Sequence, residues 1–322
     1  MGASFLSFHY LIRKIFRYLF SFVIILLVVF LLPRMMPGDP IANLVGEDVY
    51  LSPQKILELR SAFGLDSPLH EQFFVYCMKL YQLDLGYSFH MHAPVSSLLI
   101  DRAAWTLLYI GIAIVCGIII GVGPGEKAGW ESEKWWAHFL SAGAVLISST
   151  PPYLLSLIVL VIFVYHFGWF PLKGFYDTFD ITSIIHHLVL PISVLTVFYA
   201  SRNFLIMRGA VLSEKCQLYP QFVRSLGIPE KDILSGHIRK NAIIPLITLI
   251  ALDFGFLFSG ALFIEIVFSL NGMGSLIYDA ILSRDYPVLT GSFLVISVFV
   301  IMANILSDIL CIVLDPRTGR NE

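Results

Sequence analysis

Charge is scarce in this chain. Of 322 residues only 14% are Asp, Glu, Lys or Arg, where a soluble domain carries about a quarter, so much of the surface must meet something other than water. The 21 basic and 23 acidic side chains leave a net charge of −2, which excludes nucleic-acid binding driven by bulk charge. Cysteine is scarce too. Cys77, Cys116, Cys216 and Cys311 are far apart, with no C-x-x-C and no partnered histidine spacing, so neither a disulfide framework nor a zinc site is indicated. Hydrolase signatures such as G-x-S-x-G and H-E-x-x-H are missing. The Gly121–Ala128 stretch is not a nucleotide loop either. Glu126 rather than glycine precedes Lys127, and Ala128 stands where the Ser/Thr that holds Mg²⁺ belongs, so a flexible glycine-rich helix end is expected there.

What the chain has in abundance is hydrocarbon: 57% of residues are apolar or aromatic, 26 are Phe, and the mean hydropathy is +0.80. A membrane helix needs about 20 apolar residues to cross a hydrocarbon layer about 30 Å thick. Stretches near that length run from Ile15 to Pro33, Trp105 to Gly123, Phe139 to Phe163, Ile184 to Met207, Ala242 to Phe268 and Val288 to Leu314. The first resembles a signal peptide in length, but Pro33-Arg34-Met35-Met36 is no small-x-small cleavage site, so an uncleaved anchor is expected. Six spans place both termini on one side. Basic residues, from Arg13, Lys14 and Arg17 through Lys127, Arg202, Arg208 and Lys240 to Arg320, gather on that side, while the two short opposite loops hold only Lys173 and Arg284. The positive-inside rule therefore predicts cytoplasmic termini.

The predicted fold is all-α and polytopic. Residues 1–33 form the N-terminal segment and first span, 34–104 a small helical extracytoplasmic insertion, 105–314 the membrane core, and 315–322 a cytoplasmic tail. In the insertion, Ser52-Pro53 opens one helix that ends near Gly64, and Ser67-Pro68 opens a second with Phe73, Phe74, Cys77 and Leu80 on one side. Within the core, 208–241 is a polar inward loop. Pro220 starts a short helix that closes at Gly227, and Pro229 opens the next, with Glu230 and Asp232 in its first turn. Tyr219, Phe222, Val223 and Leu226 recur at helical spacing, the pattern of an apolar docking face.

Several polar residues interrupt the spans. Asp253 lies about 16 Å along a helix from Ala242, near mid-membrane, where an acid faces a bundle interior or a water-filled path. Pro151-Pro152, after Ser148-Ser149-Thr150, should break the third span, a geometry that can line a pathway. Asn304 and Asp308 share one face of the last helix. Asp253, Ser149, Pro151 and Asn304 are thus candidates for a translocation path. His90 and His92 lack a third partner for metal binding.

The stretch YPQFVRSLGIPEKDILSGHIRKNAIIP, from Tyr219 to Pro245, resembles the coupling loop of ABC-importer permeases of the dipeptide, oligopeptide and nickel group. That family writes it approximately as Y-V-R-x-A-R-A-K-G followed by H-x-x-R-N-A-x-x-P, and Tyr219, Arg224, Gly227, His237, Asn241, Ala242 and Pro245 match. Pro220, Val223, Ser225 and Leu226 depart from it. Further matches include Pro37-Gly38-Asp39-Pro40, Gly64 to Leu69, Asp84 to Ser88, Gly272-Met273-Gly274, Asp285 and Asp315-Pro316-Arg317. The resemblance implies the type I importer permease fold and a transport subunit without catalysis or bound cofactor. It pairs with a homologous second permease, two ATPase subunits that carry ATP and Mg²⁺, and an extracytoplasmic substrate-binding protein, all in a bacterial or archaeal cytoplasmic membrane. It also implies that Tyr219, Phe222, Arg224, Gly227, His237 and Asn241 couple to the ATPase, while Glu265, Gly272, Gly274 and Asp285 face the outer loops or the binding protein. Peptide is the expected solute, nickel or an oligosaccharide the alternative. A secondary transporter would predict internal inverted repeats, and an intramembrane enzyme a catalytic constellation; neither pattern is evident in the sequence.

Overall fold

The computed structural model describes residues 2–35, 66–88 and 90–314, together with positions 52, 54, 55 and 58. Most of the helix expected from Gln54 to Phe63 and the tail from residue 315 lie outside the described residues. Ser52 Oγ does accept the Lys55 N–H at 3.3 Å, the geometry of a helix N-cap. In chain order the elements are α1 (Gly2–Met35), α2 (Leu69–Tyr81), a ribbon of β1 (Tyr87–Ser88) and β2 (Ala93–Pro94), α3 (Val95–Trp130), α4 (Trp135–Ser149) and α5 (Pro152–Val159). They continue with α6 (Ile181–Lys215), α7 (Leu218–Ser225), α8 (Glu230–Ile233), α9 (Arg239–Gly255), α10 (Leu257–Val267), α11 (Met273–Leu282) and α12 (Tyr286–Leu314). Wider π-type turns extend α5 through Leu160–His166 and join α8 to α9 through Leu234–Ile238.

Among the described residues, α3, α6 and Tyr286–Leu310 of α12 are long and apolar enough to cross a membrane, and two bent pairs bring the number to five. Phe16–Leu32 within α1 is a shorter apolar stretch. The third expected span is broken as its prolines demand: Pro151 cannot continue α4, and the chain turns by 99° between Ser149 and Pro152. Hydroxyls soften the break, with Ser148 Oγ on Val145 O at 3.2 Å and Thr150 Oγ1 on Leu146 O at 2.8 Å. The fifth expected span is not one helix. It bends by 59° at Phe256, just after Gly255, a residue type at which helices commonly kink.

The chain divides into two units. In the first, of residues 1–105 and 271–301, the end of α1 docks on α2. The Phe30 ring meets Phe73 edge-on at 5.1 Å and Tyr76 at 5.6 Å, and Arg34 stacks on Phe30 at 3.6 Å while its Nε donates to Gln72 at 3.1 Å. The buried side of α2 therefore carries Phe73 and Tyr76, whereas Phe74, expected there, is 67% exposed. Ser88 of the ribbon donates its hydroxyl to Asp285, which also caps α12 through Val288 N–H at 3.3 Å.

In the second unit, of residues 106–270 and 302–322, α6 is the central post. Along α3, Gly117, Gly121, Gly125 and Gly129 recur every fourth residue against it. A methyl group on Gly117 would come within 2.6 Å of Tyr199 Cβ, and one on Gly125 within 2.6 Å of Phe204 O. The glycines expected at a loose helix end are instead the seam that lets two backbones touch. Helix α3 accordingly continues to Trp130, seven residues past the expected limit at Gly123. A buried cluster of Met207, Val211, Ile233, Ile238, Ala242 and Leu246 closes the end of α6 near α8 and α9.

Candidate coupling site

Helix α7 starts at Gln217, in extended conformation, and ends where Gly227 takes φ +79°. The Leu226 and Gly227 N–H groups return to Val223 O at 3.2 Å and Arg224 O at 3.0 Å, so the turn needs a residue tolerant of the left-handed region. The four apolar residues expected on one face divide between two neighbouring stripes. Tyr219 and Val223, with Ile228, pack on the Met207–Leu246 cluster, while Leu218, Phe222 and Leu226 are 81%, 66% and 63% exposed. Residues at i, i+4 and i+8 drift only slowly around a helix, so the inner stripe seats α7 and the outer stripe leaves three large side chains uncovered.

Polar ties fix this helix from behind. Tyr219 donates its hydroxyl to Glu214 at 2.5 Å, and Asn241 Nδ2 reaches the same carboxylate at 3.3 Å and the Tyr219 oxygen at 3.2 Å. One three-residue knot thus joins the end of α6, the start of α7 and the start of α9. Burial first, and the Glu214 carboxylate second, push the Tyr219 phenol up to about 12. Arg224 forms a two-pronged pair with Glu230, at 2.5 Å and 3.0 Å, across the Gly227 turn. The pair raises the Arg224 pKa and lowers that of Glu230, but both side chains are about half exposed, so its stabilisation is small. Arg239 grips buried Glu126 of α3 through Nε at 2.9 Å and Nη2 at 2.8 Å. Lys215 donates to Trp130 O at 2.8 Å. His237 is exposed on the π-type segment. Five of the six sequence-selected residues therefore lie in or directly against the α7–α9 segment around Gly227, and His237 lies on its outer turn.

The path candidates are more dispersed. Asp253 is buried in α9 with Oδ1 on Arg202 Nη1 of α6 at 2.7 Å. Ser149 and Pro151 sit exposed on either side of the 99° break, and Asn304 is half-buried on α12. Among the described residues these four share no hydrogen bond with one another.

Residues 113–320 match the family described as binding-protein-dependent transport system inner membrane component, and residues 7–109 match its N-terminal counterpart. The chain belongs to this permease family. It is similar to a Brucella suis protein described as a peptide permease, 34% identical over 295 residues that cover 90% of this chain and 92% of the relative. A peptide transport system permease protein of Brucella abortus is 31% identical over 296 residues, 92% and 94% of the two chains. A glutathione transport system permease protein of Salmonella paratyphi A is 29% identical over 308 residues, 96% and 98%. The permease is thus a helical, multi-pass membrane component of an ABC importer and a transport subunit, with ATP hydrolysis on separate subunits.

The outer-contact candidates lie within the chain's own packing. Glu265 of α10 is fully buried, accepting from Thr106 Oγ1 at 2.7 Å and Tyr109 OH at 3.1 Å; donors on α3 make the interior tolerable for a carboxylate. Gly272 and Gly274 are buried at the start of α11. Asp285 is 5% exposed and engaged with Ser88 and the α12 cap. All four are buried in this chain. Sequence reasoning also passed over Glu126, Glu214 and Arg202. Each is a charge within or beside an apolar run, and a search for opposite charges at matching depth on other helices could have paired them.

Proposed function

We propose that the permease forms one half of the membrane path of an ATP-driven importer of short peptides. In this assembly it crosses the membrane six times with both termini in the cytoplasm, and residues 34–104 lie outside. It pairs with a homologous second permease, receives solute from an extracytoplasmic binding protein, and rests on two ATPase subunits through α7. Asp253, Ser149, Pro151 and Asn304 belong to its path, and Tyr219, Phe222, Arg224, Gly227, His237 and Asn241 to its coupling site. The permease itself holds no cofactor. The peptide assignment leans on relatives named for peptides and for glutathione, itself a tripeptide.

The observation that carries the coupling role is the uncovered stripe of Leu218, Phe222 and Leu226 on a helix anchored from behind. Covering such side chains is worth about 1.5–3 kcal/mol each, and a helix tied to both α6 and α9 passes a push on to the membrane core. The test is the assembled importer in proteoliposomes, with trialanine as solute. Phe222→Glu is expected to weaken ATPase association and uptake by about tenfold or more while the permease still folds. Uptake that continues without ATPase subunits would refute the proposal.

A further inference from the structure

Arg202, counted among the basic residues of the inward side, sits within α6. Counting helix rise from Arg239 along α9 to Asp253 places the carboxylate about 20 Å from that basic residue, while Arg202 lies about 9 Å along α6 from Arg208. A charged side chain within a span faces the bundle interior or a water-filled cavity. Here the pair is lopsided, with Asp253 7% exposed and Arg202 32% exposed. Asp253 spends Oδ1 on Arg202 Nη1, while its buried Oδ2 has no hydrogen-bond partner. The guanidinium also lies over the Phe198 ring, at 5.7 Å, and about a third of the Arg202 side chain stays exposed. A buried carboxylate thus holds a cation whose side chain remains partly accessible.

We propose that Arg202 is an anion-receiving side chain of the translocation path, positioned by Asp253, and that it meets the terminal carboxylate of the passing solute. This rests on the peptide-importer reading given above. Guanidinium donors form a planar fork that matches a carboxylate, and sharing the charge with Asp253 keeps the contact weak enough to release.

The test uses the full importer in proteoliposomes, with the native cysteines replaced and Ile206→Cys introduced. Ile206 is 37% exposed and lies one turn from Arg202 on the same face of α6. Thiol labelling is compared for an anionic sulfonatoethyl and a cationic trimethylammonioethyl methanethiosulfonate. Expected is a preference of roughly tenfold for the anionic reagent, lost in Arg202→Gln and kept in Arg202→Lys. The double variant Arg202→Gln/Asp253→Asn, which leaves no unpaired buried charge, should lose it as well and guards against misfolding of the single variant. Labelling without charge preference, or no labelling by either reagent, overturns the proposal. In a parallel arm, Arg202→Gln should slow trialanine uptake several-fold and leave trialanine amide within twofold; equal slowing overturns the carboxylate assignment. If the unaltered importer moves neither peptide, the peptide reading fails while the labelling still decides whether Arg202 receives anions.

Discussion

Replacing Gly125 by alanine tests whether α3 and α6 touch backbone to backbone. The added methyl would lie 2.6 Å from Phe204 O and 2.9 Å from Phe204 Cα. Ordinary contact begins at 3.4 Å, so the helices must part by about 0.8 Å, and the obstructing atoms are main chain that cannot swing aside. Overpacking of this kind costs about 1–3 kcal/mol. Gly123, two residues earlier on the same helix, is the internal control, because a methyl there meets nothing within 4 Å. Alanine at that position gains up to about 1 kcal/mol of helix propensity. Alanine gains the same propensity at Gly125, so the two variants should differ by the overpacking cost alone, about 1–3 kcal/mol, or about 2–10 °C in apparent melting temperature, read at one fixed scan rate because membrane proteins unfold irreversibly. A thiol-reactive dye reporting on half-buried Cys116 of α3 follows the transition in detergent. A Gly125→Ala protein that melts at or above Gly123→Ala would refute the close approach.

At the coupling turn, Gly227→Val should cost about 1–2 kcal/mol through the left-handed backbone alone, since nothing lies within 4 Å of the added carbon; ATPase stimulation should fall while expression holds. Arg239→Ala strands the buried Glu126 carboxylate and is expected to destabilise by about 1–3 kcal/mol, and a double-mutant cycle with Glu126→Ala should recover part of that loss in melting temperature. Tyr219 keeps its proton more firmly in the folded protein, where its pKa is about 12, than in the unfolded chain, where it is about 10. Its contribution to stability is complete below about pH 10 and is lost as pH rises toward 12. In tyrosinate absorbance of the folded protein, Tyr219→Phe should remove one phenol from the late-titrating part of the curve.

The apolar runs foretold most of the long helices, because hydrocarbon thickness dictates a length that can be counted. Pro151 and Gly227 announced their break and turn through backbone chemistry carried by a single residue. Pairings across the fold were less legible. Glu265 near the end of an apolar run looks like a surface acid until Thr106 and Tyr109 arrive from a helix more than 150 positions away. Arg202 counted as one more inward-side cation because charge alone does not reveal that Asp253 pairs with it from another helix. The inner and outer stripes of α7 merged into one in the sequence, because Phe222 and Val223 are neighbours whose fates diverge only once α6 and α9 supply a wall.

The glycine seam between α3 and α6 has a mechanical corollary. Two rods welded along their backbones tilt as a single beam, since sliding one past the other would drive side chains into main-chain atoms. Whatever flexing the second unit undergoes must then concentrate at its joints, the right-angled corner at Pro151 and the softer elbow at Phe256.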